Sequence, residues 1–280
     1  MRRRGQLFRT VLKSSISGLA GLALLAPSVS EAQGDLLIAP TRLVLDGRRG
    51  GEVILSNVGS EESTYRVSLE LLRMDENGNL EPVKQEDATA SEKAALAMIR
   101  YAPRRVTLPP SQPQSVRISA RPGADLPDGE YRVHMSFSAL PKVHAVSDVP
   151  TDDKGIGINL IPLYGIVMPI IIRKGQLTVT AGLANPHIVH EKEGDLFALD
   201  MTRSGNESIY GDLFVYPQGA KDPVFVVRGV GIYPEITTRH TTFALTPEEA
   251  AKMKGRVRVE YRDAGENGGA LIASVDAVLG

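Results

Sequence analysis

The chain has 280 residues, a formal net charge of −1, no Cys and no Trp. Its 42% apolar content is enough to bury a core, which excludes wholesale disorder. The missing Cys excludes a disulfide framework, a thiolate nucleophile and a Cys-ligated metal site, and the near-neutral charge argues against a nucleic-acid binder.

The N-terminus carries Arg2, Arg3, Arg4, Arg9 and Lys13, then an apolar, small-residue run from about Ile16 to Ala26, then Ser30-Glu31-Ala32. A basic region, an apolar region and small residues in this order predict a secretory signal over 1–32, cleaved after Ala32. The apolar run, about 11 residues against the roughly 20 that span a bilayer, is too short for a stable anchor. Five of the 32 basic and one of the 33 acidic residues lie in this segment. The mature chain of 248 residues therefore has 27 basic and 32 acidic residues and a net charge of −5. No stable membrane insertion is expected of it.

Period-two alternation dominates the rest. Tyr65, Val67, Leu69 and Leu71 alternate with Arg66, Ser68 and Glu70; Tyr131, Val133, Met135 and Phe137 alternate with Arg132, His134 and Ser136; Val257, Val259 and Tyr261 alternate with Arg256, Arg258 and Glu260. Each pattern describes a strand with one face on a core and one in water, so His134 is expected at the surface. Turns are expected at Asp46-Gly47, Asp75 to Asn79, Asp128-Gly129, Ser204-Gly205-Asn206 and Glu266 to Gly269. Two short helices are expected. One covers Ser91 to Arg100; the other opens at Thr246-Pro247-Glu248-Glu249, with Thr246 as N-cap and Glu249 closing a capping box.

About seven strands are expected from residue 35 to 174, near 36–45, 52–57, 64–73, 100–108, 114–120, 130–139 and 158–173. About seven more follow to residue 280. Strands at this spacing predict an all-β chain of two tandem immunoglobulin-like β-sandwich domains. The expected division is a signal at 1–32, a first domain at 33–174 and a second at 175–280. Lys174-Gly175 lacks a Gly/Ser or Pro linker, so a fixed interdomain angle is expected.

Several segments together resemble the periplasmic chaperones of the chaperone–usher pilus pathway, the PapD-like family. They are Ile38 to Gly47 with its Thr41-Arg42 pair, Val53 to Asn57, Pro103 to Pro110 followed by Gln114, Val116, Arg117 and Ile118, and Leu126 to Tyr131. The second domain is similar mainly in strand pattern and in Arg262-Asp263-Ala264-Gly265. The resemblance implies a boomerang of two sandwiches in the periplasm, without enzymatic activity or cofactor. It implies binding of pilin or fimbrial subunits, which the chaperone completes with its own strand before an outer-membrane usher receives them. The alternative is a two-domain surface adhesin or pilus component. Such a protein would lend a strand from an N-terminal extension, whereas only Gln33 and Gly34 precede the first strand of the mature chain.

The lending strand would be Gly155 to Tyr164, with Ile156, Ile158, Leu160 and Leu163 as its apolar residues, after a long polar loop from Lys142 to Lys154. Pro162 lacks an N–H and marks an edge or a break in pairing. An exposed apolar edge also makes a self-capping homodimer an expected partner state. The resemblance gives Arg42 the role of anchoring the subunit's terminal carboxylate, for which a guanidinium is suited. It aligns Pro169 with a position where family members carry a second, lysine anchor, so either another base such as Lys174 or Arg105 substitutes or the subunit tail is held differently. Glu130, Arg173 and Asp263 align with an ionic cluster between the domains, a structural role. His187-Ile188-Val189-His190-Glu191 is too permissive a pattern to predict a metal site. No Gly-x-Ser-x-Gly, His-Glu-x-x-His or Walker pattern is found.

Overall fold

The computed structural model describes residues 36–141, 164–264 and 269–280. The expected signal at 1–32, the loop from Lys142 and the donor residues Ile156, Ile158, Leu160 and Leu163 lie outside them.

The described residues between 36 and 174 build one sandwich. Its strands are β1 (Leu36–Ala39), β2 (Leu43–Leu45), β3 (Gly51–Asn57), β4 (Ser63–Glu70), β5 (Leu72–Met74), β6 (Leu80–Pro82), β7 (Ile99–Ala102), β8 (Arg105–Leu108), β9 (Pro113–Ala120), β10 (Gly129–Ala139) and β11 (Gly165–Lys174). One sheet runs β1-β3-β9-β7, the other β2-β11-β10-β4-β8. The first, second, fifth and fourth long strands share one sheet while the third, sixth and seventh share the other. That is the strand distribution of an immunoglobulin sandwich. Its core is the inward row of each alternating strand, including Val53, Leu55, Val67, Val116, Ile118, Val133, Met135, Phe137, Met168, Ile170 and Ile172.

Two stretches expected as single strands are each divided between the sheets. Residues 36–45 split into β1, antiparallel to β3, and β2, parallel to β11. Residues 100–108 split into β7 beside β9 and β8 beside β4. A proline, Pro40 or Pro103, stands at each division, and a residue without an N–H cannot continue a ladder. The β5–β6 hairpin was not expected; the Asp75 carboxylate receives the Asn77 and Asn79 N–H groups at its tip. Helix α1 (Ala90–Met98) begins at Thr89 with a Thr89–Glu92 capping box.

Residues 179–279 build the second sandwich from β12 (Val179–Glu191), β13 (Gly194–Gly205), β14 (Ile209–Pro217), β15 (Phe225–Ile232), β16 (Thr238–Ala244), β17 (Gly255–Asp263) and β18 (Leu271–Leu279). Its sheets are β12-β13-β16 and β15-β14-β17-β18, closed over a separate core that includes Phe197, Met201, Leu213, Val215, Val259 and Tyr261. Helix α2 (Pro247–Lys252) carries the expected cap: Thr246 and Glu249 each accept the other's backbone N–H.

Candidate functional site

The outward face of the β2-β11-β10 sheet meets the second sandwich, and the seam between them is polar. Asn206, in the turn after β13, fixes the crossing. Its carbonyl accepts the Glu130 N–H at 3.0 Å, its amide nitrogen donates to Asp128 and Gln176 carbonyls, and its amide oxygen accepts the Thr178 N–H at 2.8 Å. The Asp128 carboxylate accepts the Gln176 N–H at 2.9 Å, which holds it below the usual carboxylate range. Gly175 adopts φ +71° directly against that carboxylate, a place where a Cβ would collide.

Glu130 and Arg173 are brought together as neighbours in the β10–β11 register. The Glu130 side chain is fully buried. Its Oε2 accepts from the Ser208 hydroxyl at 2.7 Å and the Ser208 N–H at 3.2 Å. Arg173 Nε lies 3.5 Å from the same oxygen, close enough for charge attraction but too long for a hydrogen bond, and its Nη1 reaches Glu207 at 2.8 Å. Asp263 stands at the end of β17, opposite Gly211, and among the described residues it makes no ion pair. The acid that joins Glu130 at Arg173 is Glu207, which no alternation pattern marks because it sits in a turn.

Arg42 enters the seam from the residue before β2. Its Nη2 is 3.3 Å from the Ser208 hydroxyl, its guanidinium lies 4.5 Å from the centre of the Tyr210 ring, and its buried Nε has no protein partner. Neither proposed substitute base accompanies it. Lys174 Nζ donates to the Leu126 carbonyl at 2.6 Å and lies 3.5 Å from Asp128. Arg105 is on β8, at the opposite edge of the sheet from β2.

His134 is the correction. Alternation places it in water, yet it is 1% exposed. The face it belongs to is covered by Tyr233, whose ring meets the imidazole edge-on at 6.4 Å. Both ring nitrogens are buried without a protein partner, and burial lowers the imidazole to about 3. Next to it, Arg132 stacks 3.5 Å over the Tyr233 ring, donates to both oxygens of Glu235 and reaches the Leu72 carbonyl at 3.1 Å. Glu235 also accepts the Met74 N–H at 2.8 Å. The tip of the β5–β6 hairpin continues this contact: the Glu76 carbonyl accepts the His240 N–H at 2.7 Å, and Gly78 rests on the Arg239 guanidinium. Arg132, Tyr233 and Glu235 were not singled out from sequence. Partners more than a hundred residues apart leave no local signal.

The β11 edge is open beside Arg42. Strand β2 pairs only Leu43–Leu45 with Ile170–Ile172. Among the described residues nothing pairs with Gly165 to Pro169 on that side, and Tyr164 and Val167 are 49% and 43% exposed. His187 and His190 sit on β12, bonded to the Asn185 carbonyl and to Asp195, each at 2.7 Å. The described residues hold no group of three side chains suited to a metal ion.

No family model matches the chain, and no curated protein is similar to it in sequence. Solved structures similar to it include the YadV chaperone, at 12% identity over 88% of this chain and 100% of that one, with a TM-score of 0.47. A chain of the CsuC–CsuE chaperone–tip adhesion subunit pre-assembly complex of Acinetobacter baumannii is similar at 10% identity over 88% and 100%, TM-score 0.45. The CupB2 chaperone of Pseudomonas aeruginosa is similar at 15% identity over 87% and 100%, TM-score 0.44.

Proposed function

We propose that this chain is a non-enzymatic periplasmic chaperone that caps pilin or fimbrial subunits by lending them a strand and passes them to an outer-membrane usher. In this reading 1–32 is the removed export signal, 33–174 is the subunit-binding domain and 175–280 is the second domain. The open edge of β11 carries the proposal. An unpaired strand edge invites aggregation unless it serves a purpose, and adding a strand to another chain is such a purpose. In sequence, Ile156, Ile158 and Leu160 have the same alternation and parity as Met168, Ile170 and Ile172, which face the core. An apolar row continued past the end of its own sandwich can complete the core of another. Leu163, after Pro162 in sequence, is the fourth apolar residue of the lent strand. Arg42, with its partly unpaired guanidinium beside the edge, takes the subunit's terminal carboxylate, while Glu130 and Arg173, with Glu207 in the place expected of Asp263, serve the interdomain seam structurally. Without a subunit the same row is covered by a second copy, as a self-capping homodimer.

The test is a pull-down of the tagged mature chain from the periplasm of its own host, with bound proteins identified by mass spectrometry. A stoichiometric small β-rich partner is expected, lost when Ile158 and Leu160 are both replaced by Asp while circular dichroism stays unchanged. Equal capture by the double variant would overturn strand donation.

A further inference from the structure

The seam leaves one position unexplained, the neighbour of Arg42. In the β10–β11 register His134 stands opposite Pro169, and Pro169 precedes Ile170, the partner of Leu43. Arg42, Pro169 and His134 thus form one row across three adjacent strands, on the face turned to the second sandwich. Strands in a sheet lie about 4.8 Å apart, so the backbones of the outer two are roughly 10 Å apart. An Arg head, a carboxylate and an imidazole fill that distance. The proline between them offers no side-chain donor and no long side chain to block it. Tyr233 stands beside this row, its ring edge-on to His134 with centroids 6.4 Å apart.

Within this row two groups have unmet hydrogen-bonding capacity. Arg42 Nε is buried and unpaired, and so are both nitrogens of His134, although the residue is 99% shielded. Buried polar groups in folded proteins are nearly always paired, and an orphaned imidazole is an uncommon feature. The basic residues that could have stood in for a second anchor are engaged elsewhere, Lys174 at Leu126 and Asp128, Arg105 at the far edge of the sheet.

We propose that His134 is the second donor to the subunit's terminal carboxylate, giving its ring N–H to one oxygen while Arg42 holds the other. This rests on the carboxylate role of Arg42 given above. A neutral imidazole carries one donor, which is what one carboxylate oxygen needs, and it adds no second positive charge to a seam already holding Arg42, Arg132 and Arg173. The anchor becomes one charged and one neutral donor instead of two cations.

The test needs no client. N-acetylalanylphenylalanine and its C-terminal amide are titrated into the full mature chain labelled with ¹⁵N-histidine. The carboxylate is expected to bind and the amide not, and the carboxylate should move the His134 ring nitrogen resonances. Arg42→Gln should abolish binding. His134→Phe should weaken it about tenfold, the ordinary value of one hydrogen bond to a charged group, and His134→Gln, which keeps an N–H donor, should recover part of the loss. If Arg42→Gln abolishes binding but His134→Phe does not change it and the His134 resonances stay still, the histidine assignment is wrong and the Arg42 anchor stands. If the carboxylate and the amide bind alike, or neither binds, both assignments fall.

Discussion

The two faces of β10 carry opposite chemistries, and both are buried. Inward, Tyr131, Val133, Met135 and Phe137 pack into the first core, the last three with no exposed surface. Outward, Glu130, Arg132 and His134 meet the second sandwich. The inward row is held by non-directional apolar burial, the outward one by directed bonds to Ser208, Glu235 and Tyr233. All eight buried side-chain atoms without a protein partner, among the described residues, belong to Arg42, Glu130, Arg132, His134, Arg173, Arg203 and Arg239, in or beside the seam. The cores are chemically complete, whereas the seam keeps spare hydrogen-bonding capacity.

That contrast can be broken at either face. Phe137→Ala removes the largest fully buried side chain of the strand and should cost about 4 kcal/mol in urea unfolding, since a buried aromatic leaves a cavity as well as a lost transfer term. Acid should act on the outward face. The folded state holds His134 at about 3, well below its ordinary 6.5, because burial disfavours the imidazolium. The unfolded chain therefore takes up this proton first. The stability contributed by the neutral ring is complete above pH 6.5 and declines as pH falls toward 3, by at most about 1.4 kcal/mol per pH unit. His134→Phe should flatten that part of the pH–stability curve; an unchanged slope would assign it to the carboxylates. Glu130→Gln should cost about 2 kcal/mol, because it leaves Arg173 and Ser208 with a weaker acceptor in a buried place. Thermal unfolding of this variant should lose part of its cooperativity if the seam couples the two cores. The smallest effect is expected far from both faces: Thr246→Ala removes the α2 cap for about 1 kcal/mol.

Alternation was a reliable guide to the inward rows and to the two-sandwich order, because burial against a core repeats with the period of the strand itself. It was silent on what covers the other face. Arg132 and His134 read as solvated for want of any local mark of the Tyr233–Glu235 segment, a hundred residues on, that lies over them. The same limit explains Glu207 at Arg173, a turn residue placed only by how the sandwiches meet. The splits at Pro40 and Pro103 were legible in principle, since each proline interrupts a strand. Which sheet each half then joins depends on strands far away in sequence.

The β5–β6 hairpin has a mechanical consequence. Along the Glu130–Ser208 and Arg173–Glu207 contacts the two sandwiches are joined as if by a hinge pin, and a body fastened along one line keeps one rotation. Met74 bound to Glu235, and Glu76 to His240, fasten it again away from that line. Two such attachments remove the remaining rotation, so bending and twisting both require a hairpin contact to break. The hairpin from Leu72 to Pro82, between β4 and α1, thereby turns a joint into a weld.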